Sequence, residues 1–320
     1  MTSMTDLDIL IATHNGANVL KRTLEGYKAL DSQSVKYRLH IVDNASTDDT
    51  PSIISAFQSD LPLNLLYEPR SGKNYAMNTG LSAIQSDIII MSDDDSIPHP
   101  NFLRAWQSAF QAMPDIDAFG GSIIPLFDEK PAAWMLAQKP RFEELYAQRE
   151  NLPAGPIDPD RIYGPNMAIR SSLLQAGLRF NEDIGPDATR KQTYAMGSET
   201  AFFRDVVSAG YKTGFAPEPT VSHIVRKTQI SQDYIDGRAY RMGRGTAAKH
   251  CADGTFILKQ RAPLISAAGH LKQAISSQFG WFKARLGSTE RRFHARWNVN
   301  FSRGYQDEIA ARKAAILSRS

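Results

Sequence analysis

Between Asp8 and Asp95 short apolar runs alternate four times with helical patterns, and this alternation restricts the fold more than any other feature of the chain. Residues 8–12 (Asp-Ile-Leu-Ile-Ala) form a short buried-strand pattern, and Leu20, Leu24 and Tyr27 then recur at helical spacing. Residues 39–42 predict a second strand ending at Asp43, with Thr50 as N-cap and Pro51 as first residue of a second helix. A third strand is predicted over 63–67, a third helix over 74–85 with Ala76, Met77, Gly80, Leu81 and Ile84 inward, and a fourth strand over 88–91. Such alternation predicts an α/β fold: a mostly parallel sheet with right-handed crossovers and helices on both faces. Ligands on such sheets bind beyond the carboxyl ends of the strands. Asn15, Asp43, Arg70, Asp93 and Asp95 all follow those ends, so one cleft is expected to collect them.

The fourth strand runs directly into Asp93-Asp94-Asp95. Side chains alternate along an extended chain, so Asp93 and Asp95 share one side and Asp94 the other. Two aimed carboxylates suit a hard cation, which prefers oxygen ligands; on its own the triplet reads equally as a solvated acidic turn.

Downstream, a helix is predicted over 102–113, a strand over 118–124, aromatic-rich helix over 131–150 broken at Pro140, a Pro-punctuated loop over 151–160 and a strand over 162–170. Ser198 is the expected N-cap of a helix carrying Glu199 and stopping at Gly210, and residues 215–225 are expected to be extended, carrying His223.

Charge divides the chain. Residues 1–237 hold 21 Lys/Arg against 30 Asp/Glu, and 238–320 hold 16 against 4, giving local balances of −9 and +12. The basic tail contains Leu264, Ala268, Leu271, Ile275, Phe279, Phe282 and Leu286 at three- and four-residue steps, with Trp281 beside them. That pattern fits an amphipathic helix lying on an anionic membrane or packing on its own domain or a second copy. The single cysteine, Cys251, excludes an intrachain disulfide framework. No apolar run approaches the roughly 20 residues of a membrane span, and the start lacks a signal-peptide order. A cytoplasmic protein, with peripheral contact to the inner membrane face open, is therefore expected; nucleic acid is not an expected partner, and a homo-oligomer is left open.

Several segments in order carry a resemblance to a family: Thr13-His14-Asn15, then Val42-Asp43-Asn44-Ala45-Ser46-Thr47-Asp48, then Glu68-Pro69-Arg70-Ser71-Gly72-Lys73-Asn74 through Gly80. The triplet Asp93–Asp95, Gly164-Pro165-Asn166-Met167-Ala168, Gly197-Ser198-Glu199 and Val221-Ser222-His223 complete the series. From about residue 7 to 225 the chain resembles a family 2 glycosyltransferase of the GT-A fold, the inverting, nucleotide-sugar-dependent class. It departs from many members in carrying His14 within its first motif and Thr200 after Glu199 where a second carboxylate is common.

The resemblance implies a GT-A catalytic domain over 1–230, with a nucleotide-binding half over 1–115 and an acceptor-binding half over 116–230, followed by a helical basic extension over 231–320. It assigns Asp95, Asp93 and His223 to a divalent metal, Mn²⁺ or Mg²⁺, which would offset charge on the diphosphate as the glycosidic bond breaks. Thr13, Asn15, Asp43, Arg70, Lys73, Asp93, Asp94 and Arg226 fall to the nucleotide sugar. Asp43 would accept from a ring N–H of uracil or thymine, so UDP- or dTDP-sugars are the expected donors. Arg241 and Arg244, like Arg70, Lys73 and Arg226, read either as phosphate ligands or as solvated cations. Glu199, in the first turn of a helix, is the expected base that deprotonates the acceptor hydroxyl. The acceptor is expected to be a glycan, a lipid-linked sugar or a small molecule, with Trp134, Phe142 and Tyr146 serving either as its platform or as core. A nucleotide-sugar-binding protein without turnover is the rival from a different class; a sugar-nucleotide pyrophosphorylase fits poorly, because Thr13-His14-Asn15-Gly16-Ala17 offers one glycine and no basic phosphate loop.

Overall fold

A computed structural model describes residues 7–32, 35–136, 141–190, 192–252 and 289–317. The amphipathic tail pattern over 264–286, with Trp281, lies outside the described residues. The chain divides into two compact units, one of Met1–Asp128, Phe142–Asp183 and Ser198–Val225, the other of Glu129–Arg141, Ile184–Gly197 and Arg226–Ser320.

The first unit is built on one mixed sheet. Its opening half follows the predicted alternation: β1 (Leu7–Thr13), α1 (Ala17–Lys28), β2 (Tyr37–Asp43), α2 (Thr50–Ala56), β3 (Leu63–Tyr67), α3 (Lys73–Leu81) and β4 (Ile88–Asp93). Then come β5 (Ser96–Pro98), α4 (Phe102–Ala112) and β6 (Ala118–Phe127); α5 (Ala133–Leu136) belongs to the second unit. The first unit resumes with α6 (Phe142–Tyr146), β7 (Gly155–Pro156), β8 (Met167–Arg170), α7 (Ser172–Gln175), α8 (Ser198–Ser208) and β9 (Thr213–Val225). Strand order is β3-β2-β1-β4-β8-β6-β9-β5, with β7 on β9. Pairing is parallel among β3, β2, β1 and β4 and antiparallel from β4 to β8, β8 to β6 and β9 to β5. Parallel pairing returns between β6 and β9.

Alternation along β1 shows how the sheet holds two layers. Leu7, Ile9 and Ile11 point into a cluster with Leu20, Leu24 and Tyr27 of α1 and Phe102 and Trp106 of α4. Leu10 points the other way, with Ile89 and Met91, into Ala76, Met77 and Leu81 of α3 and Phe202, Phe203 and Val206 of α8. Each such side chain, fully buried, contributes about 1.5–3 kcal/mol through apolar surface removed from water.

At the amino end of β1, Asp8 is fully buried. It accepts from Arg38 Nε at 2.7 Å and from the backbone N–H groups of Gln85 and Ser86 at 2.7 and 2.9 Å, with His40 Nε2 at 3.2 Å. Burial pushes its carboxyl up, but the bonds from His40, Arg38, Gln85 and Ser86 outweigh burial and hold it well below the usual carboxylate range. A depressed folded-state value adds stability that is present above the unfolded pKa, about 3.9, and disappears as the pH falls below it. Asp8→Ala, which strands two backbone donors, is expected to cost about 3 kcal/mol at neutral pH. Urea unfolding should show the gap from wild type narrowing below about pH 4; a gap constant down to pH 2 would contradict the assignment.

Several expectations need correction. The strand predicted over 162–170 is confined to Met167–Arg170, because 164–166 turns into the site. Helix over 131–150 reduces to α5 and α6 among the described residues, and the third helix stops at Leu81 rather than at residue 85. Thr50 is inside α2, where the Asp48 carboxylate accepts from its N–H at 3.0 Å and its hydroxyl at 2.5 Å. Ser198 is the first residue of α8, not its cap: its buried hydroxyl donates to Asn74 Oδ1 at 2.6 Å. Phe142 and Tyr146 are core residues, packed on Phe127 and each other with ring centroids 5.2–5.6 Å apart, and offer no exposed platform.

In the second unit, α9 (Gln232–Ala252) packs with α10 (Thr289–Leu317). Arg244 Nη2 reaches Glu308 at 2.6 Å, the Tyr240 hydroxyl donates to Asp307 at 2.8 Å, and Arg296 pairs with Asp236. Trp134 of α5 meets Phe293, which stacks on Trp297. Among the described residues no helix is long and apolar enough to cross a membrane.

Candidate active site

Register places the polar strand ends at one level. Thr13 lies opposite Asp43 across β1 and β2, Ala12 opposite Asp93 across β1 and β4, and Asp43 opposite Tyr67 across β2 and β3. Side chains separated by 24 to 81 residues thus share the carboxyl edge of the parallel half.

Around β1 the loops interlock. Asn15, at φ +53°, accepts through Oδ1 from Thr47 N at 2.8 Å and donates its own N–H to Ser46 Oγ at 2.9 Å. His14 Nδ1 donates to the Asn44 carbonyl at 2.6 Å. Thr13 Oγ1 donates to Asp94 Oδ2 at 2.5 Å, so the middle carboxylate of the triplet faces the start of α1. Asp43, nearly buried, accepts at Oδ1 from Ser46 N at 3.0 Å. One oxygen therefore caps the turn, and Oδ2 has no hydrogen bond among the described residues.

Arg70 is committed within its own loop. Its Nε and Nη2 both donate to the Glu68 carboxylate at 2.8 Å, and the guanidinium sits 4.4 Å from the Tyr75 ring centroid. Arg70 holds the Glu68 carboxyl down, against burial, at about 2. Arg226 lies in the second unit, where its N–H and Nε donate to Gln229 Oε1 at 2.8 and 3.3 Å.

The acidic centre forms from four elements. Lys73, first residue of α3, donates to Asp93 Oδ1 at 2.6 Å and to Glu199 Oε1 at 3.1 Å, tying the end of β4 to the first turn of α8. Burial lowers the Lys73 ammonium, but the Asp93 and Glu199 carboxylates overcome it and raise its affinity for the proton. Burial also raises the Asp93 carboxyl, helped by Asp95 and Glu199 and opposed by Lys73.

Asp95 and His223 meet through the short strand β5. Ser96 pairs with His223 across β5 and β9, the Ile224 N–H donates to the Asp95 carbonyl at 2.8 Å, and His223 Nε2 comes within 3.4 Å of Asp95 Oδ1. On the other side of the ring, Nδ1 donates to the Tyr146 carbonyl at 2.8 Å, which fixes the ring and directs Nε2 at the carboxylate. Burial lowers the His223 imidazolium, yet Asp95 and the Tyr146 carbonyl push it up to about 9.

Gly164 closes the site. A Cβ there would lie 2.6 Å from Glu199 Oε1 and 3.2 Å from Lys73 Nζ, so a larger residue would displace the ion pair. Ser92 Oγ, donating to the Pro165 carbonyl at 2.7 Å, and Asn166 Nδ2, donating to the Ser122 and Pro219 carbonyls at 2.9 Å, hold that segment down. Sequence reasoning quoted Gly164-Pro165-Asn166 without a role for it and missed Lys73 as the counter-ion of Asp93 and Glu199. A lysine opening a helix behind a strand end carries no mark of which carboxylates it will meet.

Among the described residues no group of three or more His, Cys, Asp or Glu side chains is arranged to hold a metal by itself. The donors that do converge are Asp95 and His223, a carboxylate and an oriented imidazole. Such a pair fits a divalent cation that takes its remaining ligands from substrate phosphates and water.

A mixed sheet with helices on both faces is the GT-A fold. In the solved structures, the mannosyltransferase PcManGT from Pyrobaculum calidifontis, in complex with GDP-Man and Mn²⁺, superposes with a TM-score of 0.60 at 19% identity over 96% of this chain and 88% of that one. S. aureus TarS 1–349 in complex with UDP-GlcNAc gives 0.53 at 12% identity over 96% and 92%. At these identities the likeness is one of fold. In sequence, the pre-mycofactocin glycosyltransferase of Mycobacterium tuberculosis is 27% identical over 296 residues, 88% of this chain and 55% of its own length. The chain thus spans about half the length of that relative. The succinoglycan biosynthesis protein ExoO of Rhizobium meliloti is 27% identical over 300 residues, 86% of this chain and 82% of its own length. The sequence pattern of glycosyl transferase family 2 matches residues 8–177, more than half of the 320, and the chain belongs to that family.

Proposed function

We propose that this glycosyltransferase moves a sugar from a UDP- or dTDP-type donor, with inversion and with a divalent cation, onto a hydroxyl of a glycan, lipid-linked or small-molecule acceptor in cell-surface polysaccharide synthesis. The reading assigns catalysis to residues 1–230 and makes 231–320 an appended extension. Its main support is the convergence of Asp93, Asp95, Lys73, Glu199 and His223 at the carboxyl edge of β4.

Asp43 Oδ2 is available to accept a base N–H at the edge of β2. Asp95 and His223 would hold Mn²⁺ or Mg²⁺, and that ion would supply Lewis-acid stabilisation of the diphosphate leaving group. Neutral imidazole is the form in which His223 would ligate such an ion. Lys73 keeps Asp93 and Glu199 from repelling each other across the site. Glu199 takes the acceptor proton, and displacement proceeds through a transition state with oxocarbenium character like that of glycoside hydrolysis.

Thermal unfolding of the protein with nucleotides, with and without Mn²⁺, tests donor and metal together. UDP or dTDP with Mn²⁺ is expected to stabilise the fold by about 2.7 kcal/mol at a hundred times its dissociation constant. GDP and ADP are expected to do far less. An equal response to all four nucleotides would reject Asp43 as base reader, and a response indifferent to Mn²⁺ would reject the cation.

A further inference from the structure

We infer that Arg241 of α9 binds an oxyanion, the phosphate or carboxylate group of a ligand that docks on the second unit. Arg241 is 9% exposed, and its Nε is buried without a hydrogen-bond partner among the described residues. Among the described residues no carboxylate pairs with it, and three acids of α9 and α10 are engaged elsewhere. Asp236 pairs with Arg296, Glu308 with both Arg244 and Arg312, and Asp307 accepts from the Tyr240 hydroxyl. A buried guanidinium with unsatisfied donors is costly unless something completes its hydrogen bonds.

What surrounds Arg241 fits a ligand site. Its guanidinium carbon lies 5.3 Å from the Tyr194 ring centroid and 5.9 Å from that of Tyr234, so two aromatic rings attract the cation without consuming its N–H groups. Tyr234 is held in turn, since Gln229 Nε2 reaches its hydroxyl at 3.4 Å and Gln229 Oε1 accepts from Arg226. One turn before Arg241 stands Gly237, where a Cβ would lie 3.1 Å from Arg241 Nη1. The position that would otherwise cover the guanidinium carries no side chain. Aromatic walls, a buried Nε without a partner and no paired acid among the described residues suit the flat, two-oxygen edge of a phosphate or carboxylate. Arg244, three residues on, shows the contrast: an internal carboxylate, Glu308, already occupies its fork.

The inference is independent of the donor and base assignments in the first unit, and the experiment keeps them apart. Thermal unfolding of the full chain is followed in EDTA against sodium phosphate and, separately, sodium acetate, with ionic strength held constant by NaCl. Wild type is expected to show a saturable rise in Tm with at least one anion, and the anion that saturates identifies the chemical class. Arg241→Gln should raise the half-saturating concentration at least tenfold. Arg241→Lys keeps the charge but loses the planar fork, covers the case in which the glutamine variant does not fold, and should raise it about fivefold. Wild type without a saturable response to either anion would overturn the inference, as would a folded Arg241 variant that responds like wild type.

Discussion

Glu199→Gln is expected to lower turnover by about a hundredfold or more, the range in which a positioned general base contributes. Nucleotide binding should be retained. Glu199 sits in the first turn of α8, and its Oε1 accepts from Lys73 Nζ at 3.1 Å. The helix N-terminus and the ammonium both favour negative charge there. Glutamine preserves the size of the side chain and an acceptor for Lys73, but it takes no proton from a sugar hydroxyl. Initial rates of nucleoside-diphosphate release, measured beside the nucleotide-dependent shift in Tm, separate the two effects. Unchanged turnover would remove Glu199 as the base, and loss of the nucleotide response would make it a donor-site residue instead.

Asp95→Asn is expected to abolish the Mn²⁺-dependent part of the nucleotide response and to lower turnover by about a hundredfold, since an amide is a poor replacement for a carboxylate on a hard cation. Asp95 is nearly buried, its carboxylate faces His223 at 3.4 Å, and its carbonyl is fixed by the Ile224 N–H. The backbone should therefore stay in place and only the ligand change. Metal-free nucleotide binding, which the proposed reading assigns to Asp43, should persist. Turnover and metal response that both match wild type would show that the cation is held elsewhere or not needed.

The two variants act on opposite ends of one charge network. Lys73 joins Asp93 to Glu199, and Asp95 raises Asp93 from the other side. On the proposed reading, Lys73 would position the base as well as neighbour the diphosphate site, a division of labour that the motif around it did not disclose.

Much of the first unit was readable along the chain because its signals are local. Apolar runs of four to six residues, each followed by a helical repeat, needed only their own neighbours to announce β1 to β4 and α1 to α3. The gathering of polar strand ends at the carboxyl edge followed from that alternation, and Thr13, Asn15, Asp43 and Asp93 lie there because strand ends and polar turns are encoded together. The meeting of Asp95 with His223 was a different matter. It depends on a three-residue strand, β5, pairing antiparallel with the end of β9 over a separation of more than 120 residues, and a strand so short has no periodicity to read.

Residue chemistry alone marked Glu199, Lys73 and Arg241 as charged side chains, without saying which would face an acid, an aromatic ring or a ligand. Packing decided that. Lys73 acquired two carboxylates because α3 and α8 bury the same face of the sheet, whereas Arg241 lies beside two tyrosines and, among the described residues, pairs with no carboxylate, while Asp236, Asp307 and Glu308 have other partners. Strand and helix patterns are carried by neighbours a few residues apart, so the sequence alone could specify them. The environment of a buried charge is set by side chains from distant segments, and only the tertiary structure brings those together.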